Sequence, residues 1–297
     1  MLPRRHIRIK VFQSLYAREQ QKRDPNFDIE KEFKNNLNGY LNIYYFIIQL
    51  LHTLQETAHE EIKIKKNNLI PSEEDLVPNT RFIKNFILKK IKEPTETSNN
   101  ISLDSINNIV KQVFKKIQKS KAYINYMQKS SVTQEDDKKI IFRILKTYFI
   151  GNEDIHDFIE IYSIYWNDDI LIAYNMLIEK INNNYQLNNV KLFRKKEDKL
   201  FGELLLKNAI KKEDEMSEII YKLAENWDRE RIALTDLILL RMALTELTYI
   251  KNIPNKVTLD EYIEISKQYS TPKSKEFING ILDVFIKDIL IKNSLES

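Results

Sequence analysis

Ile7, Val11 and Leu15 recur at four-residue spacing while Phe12 and Tyr16 widen the same stripe, which predicts a first amphipathic helix over residues 4–20. Arg8 falls inside that apolar arc. An arginine there is costly to bury unpaired, so either a carboxylate meets it or the helix projects past the core at its first turn. Beyond Asp24-Pro25 a long helix is predicted over 30–66, centred on the apolar run from Tyr40 to Leu51. Pro71 and Pro78 bracket an acidic loop, after which helices are expected over 79–92 and, past Pro94 and a Thr/Ser/Asn loop, over 103–129. Two more are expected over 135–150 and 154–184. The second carries a broad stripe from Phe158 through Tyr162, Trp166 and Ile170 to Tyr174. Such a stripe is usually core and otherwise a partner surface.

A polar, basic connection over 182–195 leads to helices over 196–211 and 212–225. The segment Leu234 to Leu247 is apolar nearly all round, which places its helix at the centre of a bundle. Ile253-Pro254-Asn255-Lys256 breaks the chain, and Thr258 with Glu261 reads as a capping box for the next helix. Thr271-Pro272 supplies an N-cap and a first-turn proline for the last one, over 272–292.

Composition narrows the picture. Four glycines in 297 residues exclude a glycine-rich phosphate loop and leave few of the tight turns that sheets use, so the expected class is all-α. The absence of cysteine removes disulfides, thiolate metal sites and a cysteine nucleophile, and suits a reducing cytosol. No apolar run is long enough to span a bilayer and the N-terminus lacks a signal core, so a cytoplasmic protein with no membrane partner is expected. His52 and His59, with Glu56 between them, show no metal spacing, and no nucleotide loop or catalytic set stands out. Neither cofactor nor metal nor enzymatic activity is expected.

Charge is unevenly spread. The first 23 residues hold seven Lys/Arg against one Glu, so this short helix alone exceeds the net +4 of the whole chain. Lysines scattered elsewhere weigh less, because an abundance of Lys, Asn and Ile follows from biased nucleotide composition. A clustered basic helix fits a polyanion, since each phosphate contact releases counterions and adds affinity.

Two stretches resemble the NusB family of transcription antitermination factors. One is Arg4-Arg5-His6-Ile7-Arg8 through Gln13-Ser14-Leu15-Tyr16. The other runs over about 200–290 and includes Ile238 to Leu244, Ile253-Pro254-Asn255-Lys256-Val257 and Phe277-Ile278-Asn279-Gly280-Ile281-Leu282-Asp283. The chain departs from the family pattern at Thr245, where Tyr is frequent, and at Thr271-Pro272-Lys273, where an acidic pair is frequent. The resemblance implies an all-α, NusB-like helical bundle made by residues 1–23 with 196–297. Residues 24–195 would be a helical insertion whose role it does not supply.

It also implies a factor that binds the single-stranded boxA element of nascent ribosomal RNA together with the ribosomal protein NusE. Such a factor acts indirectly on the RNA polymerase elongation complex. Carried over by position, Arg4, Arg5, His6, Arg8 and Lys10 form one half of an RNA surface, and Lys273, Lys275 and Phe277 the other, with Phe277 offering a ring for base stacking. Tyr16 and Asp236 occupy positions that contact NusE in the family. Arg241 is read as a structural ion pair with Glu246 or Glu261. A fused RNA cytosine methyltransferase is ruled out by the missing cysteines. The remaining alternative is a helical protein–protein scaffold or oligomerisation module, and a homodimer is left open.

Overall fold

The computed structural model describes residues 2–21, 24–91, 103–183, 186–187, 190–225 and 231–295, so the expected loop after Pro94 lies outside the described residues. Every regular element among them is helical. In chain order these are α1 (Arg4–Gln20), α2 (Ile29–Lys66), the single turn α3 (Glu73–Leu76), α4 (Leu103–Gln118), α5 (Lys121–Gln128), α6 (Gln134–Ile144), α7 (Glu153–Glu160), α8 (Trp166–Asn182), α9 (Lys196–Lys211), α10 (Glu213–Leu223), α11 (Leu234–Tyr249), α12 (Asn255–Tyr269) and α13 (Ser274–Leu295). The chain divides into two compact units, one made by residues 1–37 and 193–297 and the other by 38–192, with α2 contributing to both.

In the first unit α11 packs against α1, α9, α10, α12 and α13, which explains why its sequence is apolar on every side. Ile238, Leu239, Leu240, Met242, Ala243 and Leu244 are all buried. Gly202 permits the close approach of α9 to α1 and to the start of α2. A β-carbon there would stand 2.6 Å from Ile7 Cγ2 and 2.9 Å from Phe33 Cζ.

In the second unit α2 buries Ile43, Tyr44, Ile47 and Leu51, and Phe46 stacks on Phe158 at 5.9 Å. Three helices expected to be continuous are interrupted. The helix expected over 79–92 is mostly turns ending in a 3₁₀ turn, Leu88–Lys90, because side chains take backbone groups a helix would use. Asn85 Oδ1 accepts from the Ile87 N–H at 2.8 Å, and Asp137 accepts from the Phe86 N–H at 2.7 Å. Ser120 splits the segment expected over 103–129, its hydroxyl donating to the Ile117 carbonyl at 2.7 Å while accepting from the Tyr123 N–H at 3.2 Å as the cap of α5. The aromatic stripe breaks between α7 and α8: Phe158, Trp166 and Ile170 are core, while Ile161, Ile164 and Leu171 are exposed. The helix expected over 135–150 finishes as a π-helical turn over Leu145–Ile150.

Candidate nucleic-acid interface

Pro3 opens α1 with extended backbone, and no acidic residue occupies the first turn, so Arg4, Arg5 and His6 cluster at the positive end of the helix dipole. That cluster is held in place by neighbouring helices instead of being dispersed. The Arg4 Nε donates to Asp198 Oδ1 at 2.9 Å, and its guanidinium lies 5.2 Å from the centre of the Phe201 ring. Arg5 forms a two-pronged pair with Glu261, at 2.8 and 2.9 Å. Both arginines stay substantially exposed, at 37 % and 42 % of their side-chain surface. With Pro254 and Val257 they line an open cleft of about 500 Å³. Lys251 and Lys256, exposed in and beside the loop that forms its other wall, add positive charge that sequence reasoning passed over as a chain break.

His6 is mostly buried. Burial first, then the charges of Arg5 and Lys10, lower its pKa to about 4 against the opposing pull of Glu261, so it is a neutral imidazole near neutral pH.

Arg8 and Lys10 are turned inward, which corrects the expectation that they reach phosphate. Arg8 is 2 % exposed and donates to both oxygens of Glu246, at 2.8 and 2.6 Å, while lying 4.9 Å from the Phe201 ring centre. Glu246 also accepts from Thr258 Oγ1 at 2.9 Å and from the Tyr262 hydroxyl at 3.1 Å, so a buried charge pair is fully hydrogen-bonded. Burial and the charge of Glu246 push the Tyr262 hydroxyl well above its usual pKa, which keeps it a donor. Of the two alternatives for Arg8, the carboxylate partner is the one found. Thr258 is therefore not a cap: α12 starts earlier, at Asn255 after Pro254, and Glu261 serves Arg5. Lys10 is fully buried, its Nζ donating to Gln13 Oε1 at 3.0 Å.

At the other end of the chain, Lys273 and Lys275 are exposed, with Lys275 3.2 Å from Glu276. Phe277 is 8 % exposed and packs inward, so its ring offers no free face to a base, against expectation. The helix begins at Ser274, not at Pro272, with the Thr271 N–H donating to Ser274 Oγ at 3.2 Å. The two basic groups are not adjacent. Arg5 meets Glu261 within α12, and Phe12 packs against Tyr269 at its end with tilted rings whose centres are 5.4 Å apart, so α1 and α12 run in the same direction. The lysines lie beyond the end of α12, and the arginines flank its first half.

Tyr16 is 36 % exposed on α1, beside Phe12. Asp236 is only 6 % exposed, and its carboxylate accepts from Ser270 Oγ at 2.5 Å and Ser274 Oγ at 2.7 Å. It ties α11 to the junction of α12 and α13, a structural task in place of the expected contact with a partner. Arg241 is an ion pair as expected, but with Glu213 at 2.7 Å and Glu19 at 3.5 Å, because Glu246 is engaged by Arg8.

Among the described residues no cluster of three or more metal-ligating side chains occurs, and no helix is long and apolar enough to cross a membrane.

The model of the NusB family matches residues 169–287, beginning inside α8. The transcription antitermination protein NusB of Thermodesulfovibrio yellowstonii is 35 % identical over 127 residues, which are 43 % of this chain and 83 % of that protein. The chain belongs to the NusB family. NusB of Salinibacter ruber is 48 % identical over 89 residues, 30 % of this chain and 56 % of the relative, and NusB of Enterococcus faecalis is 38 % identical over 88 residues, 29 % and 57 %. The chain thus spans little more than half the length of two of these NusB relatives. No solved structure matches it.

Proposed function

We propose that this NusB-family chain is a transcription antitermination and elongation factor that binds boxA-type single-stranded RNA together with NusE. It would thereby support ribosomal RNA transcription through the RNA polymerase elongation complex, without chemistry of its own. The observation that carries the reading is the arginine cluster of α1. It lies at a helix N-terminus free of acidic residues, is fixed by Asp198 and Glu261, and borders an open cleft in a chain whose relatives are named transcription antitermination proteins. Arg4, Arg5, Lys273 and Lys275 supply the phosphate contacts, and neutral His6 adds a hydrogen-bonding ring. Arg8, Lys10 and Phe277 hold the framework, and exposed Tyr16 belongs to the protein partner's side.

The test is a titration of boxA-like RNA, with and without NusE, over a range of salt. The double variant Arg4→Ala, Arg5→Ala should weaken binding and flatten the dependence of log K on log salt by roughly 0.7 for each phosphate that is no longer neutralised. Unchanged slopes would falsify the role of α1. A protein–protein scaffold is the second reading, favoured by the exposed Ile161, Ile164 and Leu171 of the second unit. It predicts no RNA binding above a scrambled control.

A further inference from the structure

We propose that the second unit carries a cationic face of its own, on α4 and the start of α5, that binds the backbone of single-stranded RNA. This proposal rests on the RNA-binding reading above and extends it to the part of the chain that reading leaves without a task.

From Ser105 to Gln134 the chain has six lysines and no Asp or Glu. Folding sorts them. At about 100° per residue, Ile106, Val110, Val113, Phe114 and Ile117 fall on one side of α4, and all five are buried. Lys111, Lys115 and Lys116 fall on the opposite side with Gln112, Lys119 follows in the turn and Lys121 opens α5, all exposed. Lys111 lies 3.9 Å from Glu60, both well exposed. Lys115, Lys116, Lys119 and Lys121 have no carboxylate within ion-pair distance among the described residues.

An ordinary solvated helix face mixes both signs, because Glu–Lys pairs four residues apart stabilise a helix and like pairs destabilise it. Here Lys111 precedes Lys115 by four residues and Lys115 precedes Lys119 by four, with no acid between them in sequence and Asp104, two turns before Lys111, the one acid in the helix's own sequence. The helix dipole favours cations in the last turn, which accounts for Lys115 and Lys116 but not for Lys111 or for the missing acids. A polyanion relieves the repulsion and gains counterion entropy.

The surroundings favour a nucleic acid over a membrane. Lys111, Gln112, Lys115, Lys116 and Lys119 form a polar arc without the exposed apolar ridge that an interfacial helix inserts into lipid. The open cleft of about 700 Å³ beside the helix has buried rings, Phe82 and Phe114, and carboxylates, Glu61 and Asp75, in its lining, so the lysine face outside it is the part that meets the polyanion.

The experiment uses the full chain with Lys115, Lys116, Lys119 and Lys121 all changed to Gln, which keeps helix propensity. Anisotropy titrations with an unstructured RNA of about 30 nucleotides are run across salt beside wild type and the α1 arginine variant. The lysine variant is expected to keep wild-type helicity and Tm, to bind RNA at least tenfold more weakly at low salt, and to show a salt slope shallower by roughly 2 to 3. If wild type binds RNA, the arginine variant is weakened and the lysine variant is not, the inference fails while the functional reading stands. If wild type binds no RNA, both fall. Lysine-dependent binding that is tighter to phosphatidylserine vesicles or to polyglutamate than to RNA overturns the choice of partner.

Discussion

Two side chains of α1 carry ionisation states set by burial, and each makes a measurable prediction. His6 titrates near pH 4 in the folded protein against 6.5 when free. Between those values the unfolded chain binds more protons than the folded one, so stability is complete above the window and falls as pH drops through it. Denaturant midpoints should show wild type losing roughly 2 kcal/mol from this group between about pH 7 and about pH 5. His6→Gln should lack that loss, and an acid limb identical to wild type would place the sensitive group elsewhere. Arg8 is the complementary case, since its charge is buried but satisfied by Glu246. Arg8→Met leaves a buried carboxylate with only hydroxyl donors and should cost about 3–5 kcal/mol in equilibrium unfolding. A cost near zero would mean that Glu246 accepts a proton and the pair contributes little.

At the scale of the element, helix ends are set by side chains reaching backbone. The hub of Asp236, Ser270 and Ser274 fixes where α12 stops and α13 starts, with Thr271 Oγ1 2.8 Å from Ser274 Oγ. Ser274→Ala removes the donor to Asp236 Oδ2 and the acceptor of the Thr271 N–H, and should lower stability by about 1–2 kcal/mol. Thermal melts of this variant should show a reduced Tm with unchanged helicity. Because the hub itself makes none of the proposed RNA contacts, RNA binding should weaken in the same variant far less than in the α1 arginine variant. Position 120 shows the same logic: one serine hydroxyl serves the end of one turn and the start of the next helix, and an apparently continuous amphipathic segment becomes two.

Across the whole molecule, each unit has its own buried core, so local instability should stay local. Hydrogen exchange on Arg8→Met should accelerate amides of α11 and α12, where Glu246, Thr258 and Tyr262 sit, while Ile43 to Leu54 of α2 keep wild-type protection. Equal loss in both regions would show one cooperative unit.

The all-helical class, the central place of α11 and the basic start of α1 were legible in residue order alone, because burial period and charge density are properties of a linear pattern. The helix breaks of the second unit were not, since Ser120 and Asn85 redirect the chain through hydrogen bonds whose alternatives look equally good in one dimension. Nor were the partners of the arginines. Arg8, Arg241 and Glu246 are separated by up to 238 positions, and which carboxylate meets which guanidinium depends on how helices pack. Packing also decided that Lys10, Asp236 and Phe277 face inward while Arg4, Arg5, Lys273 and Lys275 face solvent. A sequence states how much charge a helix carries. Only the tertiary structure assigns that charge to the core, where desolvation demands a partner, or to the surface, where an RNA phosphate can supply one.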